Sequence, residues 1–400
     1  MCSNDDAVIF SESKEELQNG IDQLYKYNNS WKLKLNTQKS FVMVFKRGQL
    51  SKADKWFYGD HELSITTRLP YLGILITSNG SFHQAQITLS EQATKAIFKM
   101  YKNLNRFTGL YPKFMMNMFD KMIAPILNYA SEVWGYHDAP HIERVHLKYC
   151  KRVLGVKLNT QNDFIYGELG RFPMKIIRIY NMVKYWLNIV HGKKSQYVTL
   201  CYQNSLNTLL ERNTKGWTHS IRHVLQNNGF GDVWENQGVG DIQRFLSIFK
   251  CRLRDIWNQE WTDRLQNSSR ASFYRIYKSN PEFSNYLNEI PVKGHREALC
   301  RLLVSSHQLR IESGRWDATV RERRYCFACP NKLEDEYHFV IECALYQELR
   351  QNLIRMYCWH RPSVFKFQQL ITSQNRRDII GLGKFAFRPF NFRSASLAAR

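Results

Sequence analysis

The spacing of apolar residues changes character along the first 80 residues. A short apolar run at residues 7–10 predicts a strand. Ser13 and Glu16 then have the capping-box spacing that starts a helix, and apolar residues follow at helical intervals. Further apolar runs at residues 41–45 and 71–76 predict two more strands. This block is therefore typical of an α+β fold.

From about residue 83 the apolar period becomes helical and stays helical, so the chain after that point is predicted to be predominantly α-helical. The pattern divides the chain into residues 1–82, 83–192, 193–315 and 316–400. The third part is predicted to be helical, but its segment 192–240 is polar and rich in Asn and Gly, which indicates a linker.

The charge balance points to an anionic partner. The 57 Lys and Arg residues outnumber the 35 Asp and Glu residues, which leaves a net charge of +22. Such a charge repels itself in a compact protein unless a polyanion compensates it, and RNA or DNA is the natural candidate. No apolar run is long enough to span a membrane, and no signal peptide is evident. Nine scattered cysteines suit a reducing compartment, so we expect an intracellular protein, nuclear or cytoplasmic.

One predicted helix, at residues 142–154, combines cations with an apolar stripe. Its basic residues are Arg144, Lys148, Lys151 and Arg152. Two interpretations stay open: the cations form an ordinary solvated helix face, or they contact the phosphates of a nucleic acid.

A Cys/His cluster near the C-terminus is the most specific local pattern. The spacing C-x2-C-x8-H-x4-C is formed by Cys326, Cys329, His338 and Cys343. Three thiolates and one imidazole at this spacing suit a tetrahedral, structural Zn²⁺ site. The absence of a fifth ligand from the pattern argues against a hydrolytic zinc site. Cys358 and His360 are alternative ligands. The competing interpretation is three free cysteines and a helix histidine in a small apolar cluster.

Charged residues flank this cluster. The acidic stretch at residues 334–336 is expected to weaken phosphate contact by the loop itself. Arg321, Arg323 and Arg324 precede the cluster and could contact phosphate instead.

Asp5 and Asp6 follow the turn-forming residues Ser3 and Asn4 and precede a predicted strand. Adjacent carboxylates on a tight turn can hold part of a two-metal Mg²⁺ site for phosphoryl transfer. Aspartate pairs are also common on surfaces and at frayed termini, so the pair by itself is weak evidence.

In the context of the following motifs, the chain resembles the reverse transcriptases of non-LTR (LINE-type) retrotransposons. Residues 3–10 are similar to the aspartate turn and strand of that family, and residues 35–40 to its Leu-Asn-x-x-Lys-Ser/Thr motif. Tyr71-Leu72-Gly73 is similar to its primer-grip hairpin. Residues 126–135 and 150–155 are similar to its thumb and post-thumb segments. The ordered set is more specific than any single motif.

The resemblance implies a partial polymerase palm at residues 1–82, a thumb and post-thumb region at 83–192, a helical connector at 193–315 and a CCHC zinc knuckle within 316–400. Such knuckles are implicated in nucleic-acid handling, and the knuckle is expected to need zinc to fold.

The resemblance also implies roles for single residues. Asp5 and Asp6 would bind the catalytic Mg²⁺, and Lys39 would lie near the incoming nucleotide. Tyr71, Leu72 and Gly73 would support the primer end. Lys39 can equally be an exposed lysine at a strand entry, and residues 71–73 part of an ordinary buried strand.

Two departures from the family pattern limit these expectations. Ser3 and Asn4 stand where the family has an aromatic residue and alanine. The other metal-binding aspartate, the fingers subdomain and the endonuclease of such elements are not in this sequence. We therefore expect no polymerisation by this chain alone, and Mg²⁺ binding only if a palm is completed, for example by an upstream polymerase half in another chain.

The sequence thus predicts a retrotransposon-derived fragment that binds nucleic acid. One alternative is an active RNA-directed DNA polymerase shortened by its gene model. A second is a structural or interaction protein adopted by the host.

Overall fold

The first helix is set by its N-terminal cap. Ser13 accepts a hydrogen bond from the backbone N–H of Glu16, and Glu16 accepts one from the backbone N–H of Glu12. The predicted cap is confirmed, and helix α1 spans Lys14–Ser30. The computed structural model describes the backbone of residues 2–3, 6–45, 54–104, 107 and 109–398, and the side chains of the same ranges between residues 7 and 390. Two compact units are present, Met1–Leu89 and Ser90–Arg400.

The strands of the first unit are short. They are β1 Cys2–Ser3, β2 Asp6–Ala7, β3 Phe41–Val42, β4 Phe57–Tyr58, β5 His61–Glu62, β6 Ser64–Ile65, β7 Arg68–Tyr71 and β8 Ile74–Thr77. β1 pairs with β2, β4 with β5 and β7 with β8 in antiparallel fashion, whereas β3 and β6 are parallel. In the described residues each sheet has two strands. The palm sheet that the resemblance implies is therefore not shown.

The predicted strand at residues 71–76 is interrupted by a turn. Leu72 and Gly73 have φ angles of 47° and 80° and connect β7 to β8. Two consecutive residues with positive φ form a tight hairpin turn whose twist matches the flanking strands, and glycine adopts this conformation without steric cost. The apolar run therefore encodes the end of one strand, a turn and the next strand.

The other two predicted strands are shorter than the apolar runs in the sequence. The run at residues 7–10 contributes only its first residue to β2, and the run at residues 41–45 only its first two to β3. The core of this unit consists of Ile21, Val42, Trp56, Tyr58 and Leu63. Few large side chains are buried, so little tertiary packing supports longer strands.

The second unit is helical. Its α-helices are α2 His83–Leu104, which begins in the first unit, α3 Pro112–Met118, α4 Ala124–Leu127, α5 Ser131–Trp134, α6 Pro140–Leu154, α7 Asn162–Leu169, α8 Met174–Val190, α9 Gln196–Arg212, α10 Trp217–Asn227, α11 Gly231–Glu235, α12 Ile242–Gln266, α13 Tyr274–Tyr277, α14 Tyr286–Glu289, α15 Lys293–Leu303, α16 Arg310–Ser313, α17 Gln347–Leu353, α18 Met356–Trp359, α19 Val364–Ile371 and α20 Arg376–Ala398. Five-residue π-helices span Phe119–Ile123 and His338–Glu342. Short 3₁₀ helices span Thr37–Lys39 in the first unit and Ser269–Ala271, Arg321–Arg323 and Ala344–Tyr346 in the second. The predominantly helical prediction is confirmed.

The polar segment at residues 192–240 is not a linker. It contains α9, α10 and α11, which pack with α8 and α12 around a shared core. Tyr202 and Leu209 of α9 and Ile221 and Leu225 of α10 are buried in that core. Asn and Gly residues lie between these buried positions and obscured the helical pattern in the sequence. One buried apolar stripe is nevertheless enough to hold a helix in a bundle.

The C-terminal helices pack closely against one another. A Cβ atom on Gly381 of α20 would lie 2.2 Å from the carbonyl oxygen of Leu353 in α17. Phe390 of α20 stacks on Phe339 with ring centroids 5.3 Å apart, and Phe385 contacts the same ring edge to face at 5.6 Å. Because Phe339 follows His338 directly, this aromatic cluster anchors the backbone that carries one of the predicted zinc ligands.

Candidate metal centre and basic groove

Cys326 and Cys329 lie in a tight backbone loop. The Cys326 N–H donates to the carbonyl of Lys332 at 2.8 Å, and the Lys332 N–H donates to the carbonyl of Cys329 at 3.2 Å. Asn331 has a φ of 60°, which lets the chain reverse direction. Tyr325 and Leu333 form a β-bridge at the base of the loop. The loop is therefore closed by backbone hydrogen bonds of its own.

His338 and Cys343 lie on either side of a π-helical turn. Asp335 accepts a hydrogen bond from the His338 backbone N–H at 2.8 Å, and the Cys343 N–H donates to the carbonyl of His338 at 2.7 Å. In an α-helix, residues five apart point to different sides, because one turn takes 3.6 residues. The i→i+5 hydrogen bonding of a π-helix makes a wider turn, so both side chains face the same side.

The four predicted zinc ligands converge on one point. The Sγ atom of Cys343 is 3.9 Å from the Sγ atoms of both Cys326 and Cys329. One ligand atom of each of these residues and of His338 lies within 4.8 Å of all the others. A tetrahedral Zn²⁺ with Zn–S bonds of about 2.3 Å places two sulfurs about 3.8 Å apart. The group of four, which we call the Cys₃His cluster, can hold a metal ion.

The surroundings of the cluster are largely dry. Cys326, His338 and Cys343 are buried, and neither ring nitrogen of His338 has a hydrogen-bond partner within the described part of the chain. Burial raises the pKa of the Cys326 thiol and, together with the neighbouring thiols, raises that of Cys343 to about 12. Bringing three such thiols and an unsatisfied imidazole together is costly without a cation. A divalent metal ion would use the imidazole and stabilise the thiolates, so the residues fit this group.

Two further residues support the cluster. Arg350 is buried and donates to the carbonyls of Val340 and Cys343, each at 2.8 Å. Its charge lies near the thiols and would balance the net negative charge of a divalent cation with three thiolates. Glu342 places a carboxylate oxygen 3.5 Å from Nδ1 of His338. No sequence pattern identified Arg350, because its role depends on how α17 folds back onto the π-helix.

The alternative ligands lie apart from this arrangement. Cys358 and His360 do not belong to the ligand group that the described residues form. Cys358 is buried and His360 is exposed.

Two acidic residues next to the cluster are directed into the protein. Glu334 is buried and accepts from the Arg310 backbone N–H at 2.8 Å. Glu336 is buried and lies 3.0 Å from His307. Their carboxylates point into the protein because distant segments supply the partners. The acidic stretch therefore opposes phosphate less than its sequence implies.

The arginines before the cluster differ in exposure. Arg324 is 9% exposed, and its guanidinium donates to the carbonyls of Thr319 and Ile311. This favours a structural role over the predicted contact with phosphate. Arg321 and Arg323 are exposed.

The predicted polymerase residues that the structure describes lie in the first unit. Asp5 lies outside the described residues, and only the backbone of Asp6, in β2, is described. Lys39 is exposed at the end of the 3₁₀ helix Thr37–Lys39. Tyr71 ends β7, with Leu72 and Gly73 exposed in the hairpin turn.

The cations of α6 face different environments. Lys151 is buried and donates to the carbonyl of Leu158 at 2.7 Å, and burial lowers its pKa. The guanidinium of Arg152 lies 3.9 Å from the ring centroid of Tyr101. Arg144 and Lys148 are exposed. The single basic face predicted from the sequence is therefore divided by its tertiary contacts.

Arg144, Lys148 and Lys151 line a groove of about 790 Å³ on the second unit. The other wall is formed by the start of α8, with Lys175 and Arg178. We call this the basic groove. The sequence pattern did not single out Lys175 or Arg178, because they come from another helix.

Comparison with known proteins gives one distant similarity. A Caenorhabditis elegans protein described as uncharacterized and transposon-derived is 27% identical over 199 residues. The match covers 48% of this chain and 66% of that protein, so it spans slightly less than two thirds of the relative. No family model and no solved structure matches the chain. The chain is thus similar to a transposon-derived protein.

Within the described residues, no helix is both long and apolar enough to cross a membrane.

Proposed function

We propose that the protein is a retrotransposon-derived nucleic-acid-binding module whose C-terminal part is organised by a structural zinc ion. The convergence of the four Cys₃His ligand atoms within 4.8 Å carries this proposal. All four positions come from the protein, which is typical of structural zinc sites; catalytic sites keep one position open. The expected ligands are Cys326, Cys329, His338 and Cys343.

The binding partner is RNA or DNA. The net charge of +22 favours a polyanion, and the similarity to a transposon-derived protein agrees with a nucleic-acid partner. Neutralisation of phosphates would supply most of the affinity, with little preference for base sequence.

We propose that the protein descends from a non-LTR reverse transcriptase, because of the ordered motifs at residues 3–10, 35–40 and 71–73. Asp5 and Asp6 would be the part of its metal site that these 400 residues carry. Two carboxylates from one turn leave a two-metal clamp incomplete. We therefore expect no primer extension by these residues with template, nucleotides and Mg²⁺, and a measurable extension product would overturn this part of the proposal.

The zinc site is tested by the variant Cys326→Ser. The purified wild-type chain is expected to contain one zinc per molecule by inductively coupled plasma mass spectrometry, and the variant much less than one. Cys358→Ser is the matched control, because Cys358 is also buried but lies outside the cluster. Equal zinc content in both variants, or none in the wild type, would contradict the site.

The binding function is tested on the same samples. Labelled RNA and DNA are expected to bind the wild type at low salt, with an affinity that falls steeply as salt rises. Cys326→Ser should bind more weakly than Cys358→Ser, because the segment around the cluster needs the metal to fold. If the wild type does not bind at low salt, the proposed nucleic-acid function is wrong. The zinc site is then judged by the metal content alone.

A further inference from the structure

The basic groove contains cations that the protein itself does not neutralise. Lys175 pairs with Asp138 at 2.9 Å, and Arg178 lies 3.4 Å from Glu143. Within the described part of the chain, Arg144 and Lys148 form no ion pair. They are four residues apart on α6, so they project from the same face of the helix.

The two acidic groups at the groove are engaged in internal contacts. Glu143 accepts from the backbone N–H groups of Met174 and Lys175 at 3.0 and 2.8 Å and thereby caps α8. Asp138 accepts from the side chain of Lys175. An anion entering the groove would therefore meet acidic groups whose charge is largely compensated.

Arg178 adds a buried hydrogen-bond donor to the groove. Arg178 is 1% exposed, and its Nε–H has no hydrogen-bond partner among the described residues. Lys151 and Arg178 line the groove, and both have pKa values lowered by burial, which shows the cost of keeping these cations out of water. An anion in the groove would reduce that cost.

The lining indicates which part of a nucleic acid would be recognised. Its apolar members include Leu147, Leu158 and Pro173, and among the residues that the structure describes no aromatic side chain lines the groove. Unpaired bases are usually held by stacking on aromatic rings, which this surface does not offer. Arginine and lysine, in contrast, are the side chains that bind phosphate oxygens.

We propose that the basic groove binds the phosphate backbone of a nucleic acid, with Arg144 and Lys148 as direct phosphate contacts and no readout of bases. The proposal rests on the proposed function and assigns it a surface that none of the Cys₃His ligands lines. An acidic protein segment is the competing occupant; the net charge of +22 and the similarity to a transposon-derived protein favour a nucleic acid.

The test is a double variant with a matched control. Arg144→Gln/Lys148→Gln removes both free cations. Lys95→Gln/Lys99→Gln removes two exposed lysines with the same spacing from α2. Binding of a labelled 20-nucleotide single-stranded RNA is measured by fluorescence anisotropy across a salt series. Thermal melts and zinc content check that both variants fold.

The groove variant is expected to bind about 10-fold more weakly at low salt than the α2 variant. The slope of log K against log salt should fall by about 1.4, because two phosphate contacts are lost on a single strand. A shuffled RNA of equal length should behave in the same way. If the two double variants bind equally while the wild type binds well, the groove assignment is wrong and the proposed function stands.

Two other outcomes are also informative. If the wild type binds neither this RNA nor a single-stranded DNA of equal length, the proposed function fails and the groove assignment fails with it. If polyglutamate of equal charge binds the wild type more tightly than RNA does and depends more strongly on Arg144 and Lys148, the groove recognises an acidic protein, which overturns the phosphate assignment.

Discussion

A buried carboxyl group holds three helices of the second unit together. Glu168 of α7 is fully buried and accepts hydrogen bonds from the hydroxyls of Tyr274, Tyr277 and Tyr286 at 3.1, 2.6 and 2.7 Å. Burial raises the pKa of each tyrosine well above its usual value, so the hydroxyls keep their protons and donate. The tyrosines lie on α13 and α14, more than 100 residues from Glu168 in sequence.

The variant Glu168→Ala removes the shared acceptor. Tyr274 retains the carbonyl of Phe164 at 3.2 Å, whereas Tyr277 is left with the hydroxyl of Tyr274 and Tyr286 with the thiol of Cys300, which is a weak acceptor. A buried polar group left without its partner costs about 1–3 kcal/mol. Two hydroxyls left with these poorer acceptors, together with the small cavity, therefore predict a loss of about 2–5 kcal/mol in the free energy of unfolding.

Urea unfolding followed by circular dichroism measures this loss. Glu168→Gln should lose less, because its amide oxygen still accepts from the hydroxyls. Glu211→Ala, at an exposed position of α9, should stay within about 0.5 kcal/mol of the wild type. A loss below about 1 kcal/mol for Glu168→Ala would refute the reasoning, since the three hydroxyls would then have found other acceptors.

Two further predictions concern buried positions of the same unit. Burial lowers the pKa of His146, which stacks on Phe119, to about 3. Between the unfolded value of about 6.5 and this folded value, the unfolded chain binds the extra proton, so stability falls as pH falls, by about 1.4 kcal/mol per pH unit for this group. His146→Phe should lessen the pH dependence of urea stability between pH 6 and 4.5, and an unchanged dependence would contradict the buried neutral state. Gly167→Ala should destabilise the unit by about 1–3 kcal/mol, despite the better helix propensity of alanine, because its Cβ would overlap the hydroxyl of Tyr274. Gly231→Ala, where a Cβ meets only ordinary contacts, is the control, and equal thermal stability of the two variants would contradict this packing.

The Cys₃His cluster was accessible from sequence because its spacing is local. Cys326, Cys329, His338 and Cys343 lie within 18 consecutive residues, and few other functions require thiols and imidazole at that spacing. The structure added the π-helical turn that aligns His338 with Cys343 and the supporting side chain of Arg350. Neither can be read from spacing, because both depend on packing against α17 and α20.

The basic residues show the opposite case. Lys148, Lys151 and Arg152 look alike in sequence, yet Lys148 is exposed in the groove, Lys151 is buried against a backbone carbonyl, and Arg152 is exposed outside the groove over the ring of Tyr101. Arg324 was predicted to contact phosphate and instead donates to two backbone carbonyls. A cation's availability depends on which acceptors distant segments place beside it.

By itself, the sequence determined what depends on neighbours in the chain: the cap of α1, the course of α6, the predominance of helices after residue 83 and the four ligands of the Cys₃His cluster. Capping, helical periodicity and metal-ligand spacing act over a few residues, so a linear pattern records them. The tertiary structure alone decided the division of residues 71–76 into a hairpin, the helices within residues 192–240, the inward acidic stretch and the composition of the basic groove. Each of these depends on which side chains and backbone groups meet across long separations, and burial then sets whether a charge is paired inside the protein or left free for a ligand.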